Sequence, residues 1–372
     1  MTKIKHITAL IEELSPLQYA EDFDNVGLLV GNSEQEVTGI LVTLDCLEST
    51  VEEAIVNKCN LIVAFHPIIF KGLKKLNGKN YVERTVIKAI KNDISIYAMH
   101  TALDNSFEGV SAKMAEVLKL ENKKILLPKK RILRKLTTYV PENAADEVRD
   151  ALFKSGAGHI GNYSHCSFNM TGSGTYIGNQ NSNPSLGEKG SLESVSENFI
   201  SVIFEKHKEP QIIKSLITSH PYEEVAYDIV GLENKHNRIG MGIVGELSEE
   251  IQLNDFLNHL KKGFNTPIIR HSKDTGKAIR KVAVLGGSGS FAIESAIHSG
   301  ADIYVTADLK YHDFYRAEGK VVLADIGHYE SEQFTKNILV EYLTKKITNF
   351  APALPEGRII LSKINTNPIN YF

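Results

Sequence analysis

Apolar residues fall along this chain in two rhythms. Runs such as GILVTLDC (39–46), LIVAF (61–65) and ISIYAMH (94–100) are almost unbroken. Between them, STVEEAIVNKC (49–59), VERTVIKAIKN (82–92) and SAKMAEVLKL (111–120) repeat apolar positions every three or four residues. The first rhythm predicts strands buried on both faces and the second amphipathic helices; their alternation predicts βαβ units and a largely parallel sheet. The last third keeps the habit, with strands expected at RKVAVLGG (280–287), ADIYVTAD (301–308) and KVVLADI (320–326). Helices are expected at SEEIQLNDFLNHLKKGF (248–264), FAIESAIHSG (291–300) and EQFTKNILVEYLTKKI (332–347), the last with Phe334, Ile338, Tyr342 and Leu343 on one face. MTKIKHITALIEELSP opens the chain as a short amphipathic helix.

The middle third differs. From about Leu133 to Glu233 the pattern reads strand, helix, strand, loop, strand, helix, strand, the order of a ferredoxin-like module. Its loop, 171–191, is rich in Gly, Asn and Ser. The expected fold is therefore α/β: a two-part core with mainly parallel sheets over 1–130 and 235–372, interrupted by a ferredoxin-like α+β insertion over 131–234.

Composition narrows the function classes. A chain of 372 residues, 42% hydrophobic and 23% charged, is an ordinary globular protein of two or three domains. A net charge of −3 provides no field for nucleic acid, so lysine clusters such as KGLKKLNGK (71–79) and PKKRILRK (128–135) read as solvated surface. No apolar run reaches the roughly 18 residues a membrane span needs, and the N-terminus is too polar for a signal peptide. Three cysteines without CxxC spacing suit a reducing cytoplasm and offer neither a disulfide frame nor a thiolate metal site.

The chemistry gathers where strands end, as it does in parallel α/β sheets. LIVAF runs into His66; ISIYAM runs into His100, with Asp104 one turn on; IYVTA runs into Asp308 and His312; VVLADI leads to His328 and Glu332. His328 and Glu332, at i and i+4, share one helix face. An imidazole and a carboxylate so paired can hold a divalent cation, zinc by preference and also iron or manganese. One carboxylate can bridge two ions about 3.5–4 Å apart. Taken singly, each histidine reads as a hydrogen-bonded structural residue and HxxxE as an ordinary polar pair. GGSGS (286–290) lacks the full GxGxxG spacing and reads as a plain turn rather than a phosphate cradle.

FDNVGLLVG (23–31), FHPIIF (65–70), HTALDNSFEGV (100–110), VAVLGGSG (282–289), VTADLKYHD (305–313) and DIGHYESE (325–332) resemble, in order, the signature blocks of the NIF-three-like family. That family is also catalogued as GTP cyclohydrolase 1 type 2 homologues. GAGHIGNYSHCSF (156–168) and HPYEEVAYDIV (220–230) resemble the PII/CutA-like insertion of its longer bacterial members. The resemblance implies a dinuclear metal site in a cleft, and a homohexamer. By position it implies that His66 and His328 hold one ion, that Asp104 serves the other, and that Glu332 bridges both. The family carries a second histidine directly before the one at 66, where this chain has Phe65. Of up to two ions per chain, one is therefore expected to bind weakly. Phe23, Ala307 and Ser111 are smaller departures, expected to be tolerated.

Two functions stay open. One is a metal-dependent hydrolase, implied by resemblance to act on GTP or another nucleotide or phosphoester, with His100 and His312 moving protons or orienting carboxylates. The other is a non-catalytic, metal-binding regulatory or scaffold oligomer with a ligand-sensing PII-like module. Both imply a small-molecule partner and a cytoplasmic protein; neither a membrane nor a nucleic-acid partner is expected.

Overall fold

The computed structural model describes residues 2–350 and 358–372, and the chain forms two compact units. One comprises residues up to Pro128 and from Arg238 onward; the other is Lys129–Asn237. The fold is mixed α/β with several sheets.

In the first unit, one sheet has five strands in the order Gly27–Val30, Ser95–Ala98, Leu61–Ala64, Ile40–Thr43, Ile359–Leu361. Only the Gly27–Val30 strand pairs antiparallel. Unbroken apolar runs make sense here because alternate residues serve different cores. Ile40, Val42, Leu61 and Val63 pack with Ile4, Ile7 and Ile11 of the first helix and with Leu339 and Leu343. Leu41, Ile62, Ala64 and Ile96 pack with Val51, Ala54, Val86 and Ala89 of the helices behind. Each valine, leucine or isoleucine among them, fully buried, contributes about 1.5–3 kcal/mol before ordering costs.

The second sheet has six strands in the order Arg270–His271, Val322–Asp325, Ile303–Ala307, Ile279–Ser288, Gly240–Ile251, Glu121–Pro128. Its centre is parallel, but both flanks are antiparallel. Several readings change here. The stretch expected to be one helix over 248–264 is the end of a long strand, Gly240–Ile251, followed by a helix only from Leu253 to Phe264. SEEI lacks the apolar spacing of LNDFLNHLKKGF, whose Leu253, Phe256, Leu260 and Phe264 form the buried stripe. The helix expected over 332–347 is two helices, His328–Glu332 and Thr335–Phe350. Its buried stripe is Leu339, Leu343 and Ile347; Phe334, Ile338 and Tyr342 are only partly covered.

The second unit is a four-stranded antiparallel sheet, ordered Ser167–Ile177, Leu192–Glu205, Leu133–Pro141, Tyr227–Gly231. Helices Ala145–Lys154 and Glu209–Ser219 bury one face through Val148, Leu152, Ile212 and Leu216 against Leu136, Val140, Ile200 and Val202. The 171–191 segment is less of a loop than its composition predicts. Its first seven residues extend a hairpin strand, paired as far as Ile177↔Leu192.

Candidate metal centre

Register alone brings the first polar groups together. The parallel pairs Thr43↔Ala64 and Ala64↔Ala98, continued two residues past each strand, set Asp45, His66 and His100 side by side. The side chains follow: His66 Nδ1 donates to Asp45 Oδ1 at 2.8 Å, and the His66 and His100 rings lie 5.5 Å apart. Asp24 reaches in from the loop before Gly27 to accept from His100 Nδ1 at 2.7 Å and from the Thr101 amide at 3.0 Å. His100 then starts a five-residue helix that ends at Asp104.

The other wall comes from the second sheet. After Val322–Asp325, Gly327 turns the chain at φ +96° into the His328–Glu332 helix. His328 Nδ1 donates to Asp308 Oδ2 at 2.6 Å. Both Nδ1 atoms are thus engaged with carboxylates, which leaves each Nε2 to face the site. His66 Nε2 and His328 Nε2 each stand 3.1 Å from Glu332 Oε2. Neither contact has hydrogen-bond geometry, so this oxygen, on a side chain only 4% exposed, has no hydrogen-bond partner. With no hydrogen bond to either flanking imidazole nitrogen, this buried carboxylate oxygen is apt for a cation. His66, His328 and Glu332 each offer a ligand atom within 4.8 Å of the others.

The glycines of GGSG have a local purpose. A Cβ on Gly287, at φ +68°, would collide with Glu332 Oε1, and one on Gly286 would strike Val110. The Gly287 amide donates to Ser331 Oγ at 2.9 Å. The pair makes room for Glu332.

The electrostatics are those of a negatively charged cup. Burial pulls His66 down, but the charge of Glu332 and the Asp45 bond outweigh it and hold the imidazole at about 10. His328 is likewise carried past burial by Asp308 and Glu332 to about 11. Glu332, raised by burial, is held at about 2 by the two imidazoles. Asp104 goes the other way: burial, then the charge of Glu332, push its carboxyl well above the usual range.

Of the residues singled out in the sequence, the structure gathers His66, His328 and Glu332; Asp104 feels the charges of all three. His100 stands beside His66. His312 is not among them: it is exposed, its ring against Tyr311 and Tyr315. Sequence reading missed Asp24 and Asp45. Strand register would have found Asp45, which precedes His66 by the 21-residue offset of the pairing Ile40↔Leu61. Asp24 lies in a loop and leaves no such signal. Phe65 is fully buried, its ring 4.8 Å from that of His66 and 5.8 Å from that of His100.

The family model of Duf34/NIF3 (NGG1p interacting factor 3) matches residues 2–368. A Bacillus subtilis protein named GTP cyclohydrolase 1 type 2 homolog is 39% identical over 370 residues, 99% of this chain and 98% of its own. A Staphylococcus epidermidis protein of the same name is 36% identical over 371 residues, 99% of this chain and all of its own. Among solved structures, a Bacillus cereus protein related to NIF3 superposes with a TM-score of 0.86 at 37% identity, covering 100% of this chain and 99% of that one.

Proposed function

The chain belongs to the Duf34/NIF3 family, and on that footing we propose that it is a divalent-metal protein whose ion serves hydrolysis of a nucleotide or phosphoester. The observation that carries the metal is the orphaned Glu332 Oε2 between the Nε2 atoms of His66 and His328. These three side chains would hold one ion, with zinc the best match to two imidazoles and a carboxylate, and iron or manganese also compatible. Asp104, with a share of Glu332, would serve a second ion weakly, because Phe65 offers no ligand atom where the family's second histidine is expected.

When bound, the ion supplies Lewis acidity and brings the pKa of water beside it down to about 7. The chain's own residues do the rest. Asp45 and Asp308 fix the tautomer and orientation of His66 and His328. Asp24 holds His100 Nδ1, so His100 Nε2 is the atom free to take up and return a proton during hydrolysis. His312, exposed between two tyrosines, would act only on a substrate that extends to it. The names of the relatives make GTP the first substrate to try.

The insertion, with its βαββαβ order and four-stranded antiparallel sheet, is read as ferredoxin-like, in the manner of PII and CutA modules. A homohexamer in the cytoplasm is part of the same reading. No helix among the described residues is long and apolar enough to cross a membrane. The second reading, a metal-binding regulatory oligomer without turnover, is favoured by Phe65, since chemistry that needs two ions is weakened by losing a ligand. Turnover separates the two. Metal-dependent product formation from GTP that vanishes in Glu332→Ala supports the hydrolase; ligand left intact by a metal-loaded protein overturns it.

A further inference from the structure

The second unit carries a cavity of about 750 Å³, the size of a small-molecule site. It lies on the sheet face that the two helices leave open. Strand pairing lines up Met170, Phe199 and Tyr139 across three strands of that face. The Tyr139 and Phe199 rings meet edge to face at 5.7 Å, and Tyr176 and Tyr222 do the same at 6.1 Å. The floor is polar. Glu197 is 8% exposed and accepts from the Tyr222 hydroxyl at 2.8 Å. A Cβ on Gly174 would collide with the Glu197 carboxylate, so this glycine gives the acid its place. Opposite Glu197 in the ladder is Gly172, with nothing within 4 Å of where a Cβ would stand. The absence of a side chain there leaves the cavity open over the carboxylate.

Charge sets the ligand class. The lining includes three carboxylates, Glu197, Glu223 and Glu224, and no lysine, arginine or histidine. A nucleoside polyphosphate would meet like charge and no cationic partner. A carboxylate accepts from several donors at once, and one hydroxyl does not exhaust Glu197. Aromatic faces around a buried carboxylate attract cations with apolar bodies, through ring quadrupoles and a charge-assisted hydrogen bond. We propose that this cavity is a binding site for a small organic cation, a flat apolar body carrying an ammonium or guanidinium group that pairs with Glu197. This site is independent of the metal-centre reading and stands or falls alone.

Tryptamine is a suitable probe, because the chain has no tryptophan and the indole fluorescence reports binding directly. Its anisotropy is followed on titration with the full-length protein at neutral pH, beside indole-3-acetate, which carries the same ring with the opposite charge. The expected result is saturable binding of tryptamine and none of indole-3-acetate. Glu197→Gln keeps an acceptor for Tyr222 and is expected to weaken tryptamine by at least about tenfold. Gly172→Phe fills open space and is expected to abolish binding while leaving the circular dichroism spectrum and melting temperature unchanged. Equal binding of both probes would reduce the cavity to an apolar hole and overturn the charge assignment. No binding of tryptamine, as when a second copy of the chain covers this face, or binding indifferent to both substitutions, would overturn the site.

Discussion

Asp45 makes no claim on a metal, yet it decides whether His66 can bind one. Its carboxylate holds the Nδ1 proton, and Thr366 Oγ1 steadies it from behind at 2.6 Å. Asp45→Asn keeps the volume and loses the charge, so metal affinity is expected to fall about 10–100-fold. Competition against a chromogenic chelator measures this, and an unchanged affinity would remove Asp45 from the site. Phe65 presents the opposite case. It is a core residue by burial and a site residue by position. Phe65→His is expected to raise the metal content from one ion to two per chain, at the cost of thermal stability in metal-free protein. A count that stays at one would mean that position 65 does not ligate. The histidines and Glu332 were legible in the sequence because strand ends and i,i+4 spacing are local signals. Asp24 was not, because its place depends on a loop folding back on His100.

At the scale of elements, the site is built by turns held in uncommon conformations. His100 and Asp308 both adopt positive φ, 33° and 57°, where strands give way to site-bearing turns. Gly287 does the same, and a Cβ there would run into Glu332. Gly287→Ala is therefore expected to displace Glu332 and empty the metal site. Gly276→Ala, at a similar φ of +73° with open space around it, is expected to cost backbone strain alone. Metal content and melting temperature of the two variants separate these outcomes; equal metal content would show that Gly287 does not shape the site. The parallel strands were legible because apolar runs buried on both faces leave no other reading. The flanking strands were not. Glu121–Pro128 opens with four exposed residues, and Gly240–Ile251 runs through exposed Ser248, Glu249 and Glu250 near its end, so neither carries a clear period.

The whole molecule joins a core that gathers charge at one point to an insertion with its own electrostatics. In the insertion, Glu205 is raised by burial but held at about 2 by His236, Lys208 and His207. Its unfolded value is about 4.3. A depressed carboxylate stabilises above the unfolded value and loses that contribution as pH falls through the folded one. Glu205→Gln is thus expected to lower stability at neutral pH and to flatten the acid limb between roughly pH 5 and 2. Far-UV circular dichroism across that range measures it, and an unaltered acid limb would contradict the assignment. The order of strands and helices in the insertion was legible from periodicity. Its cavity was not, because pairing Met170 with Phe199 and Glu197 with Gly172 is a fact of register that no single stretch announces.

The central claim is that Glu332, His66 and His328 exist to hold an ion. The most direct test is elemental analysis of protein purified without chelator or added metal, with Glu332→Gln prepared alongside. One divalent ion per chain, absent from the variant, is the predicted result. A wild-type protein that carries none and takes up none on addition of zinc, iron or manganese would leave three polar side chains at the ends of strands, and contradict the account.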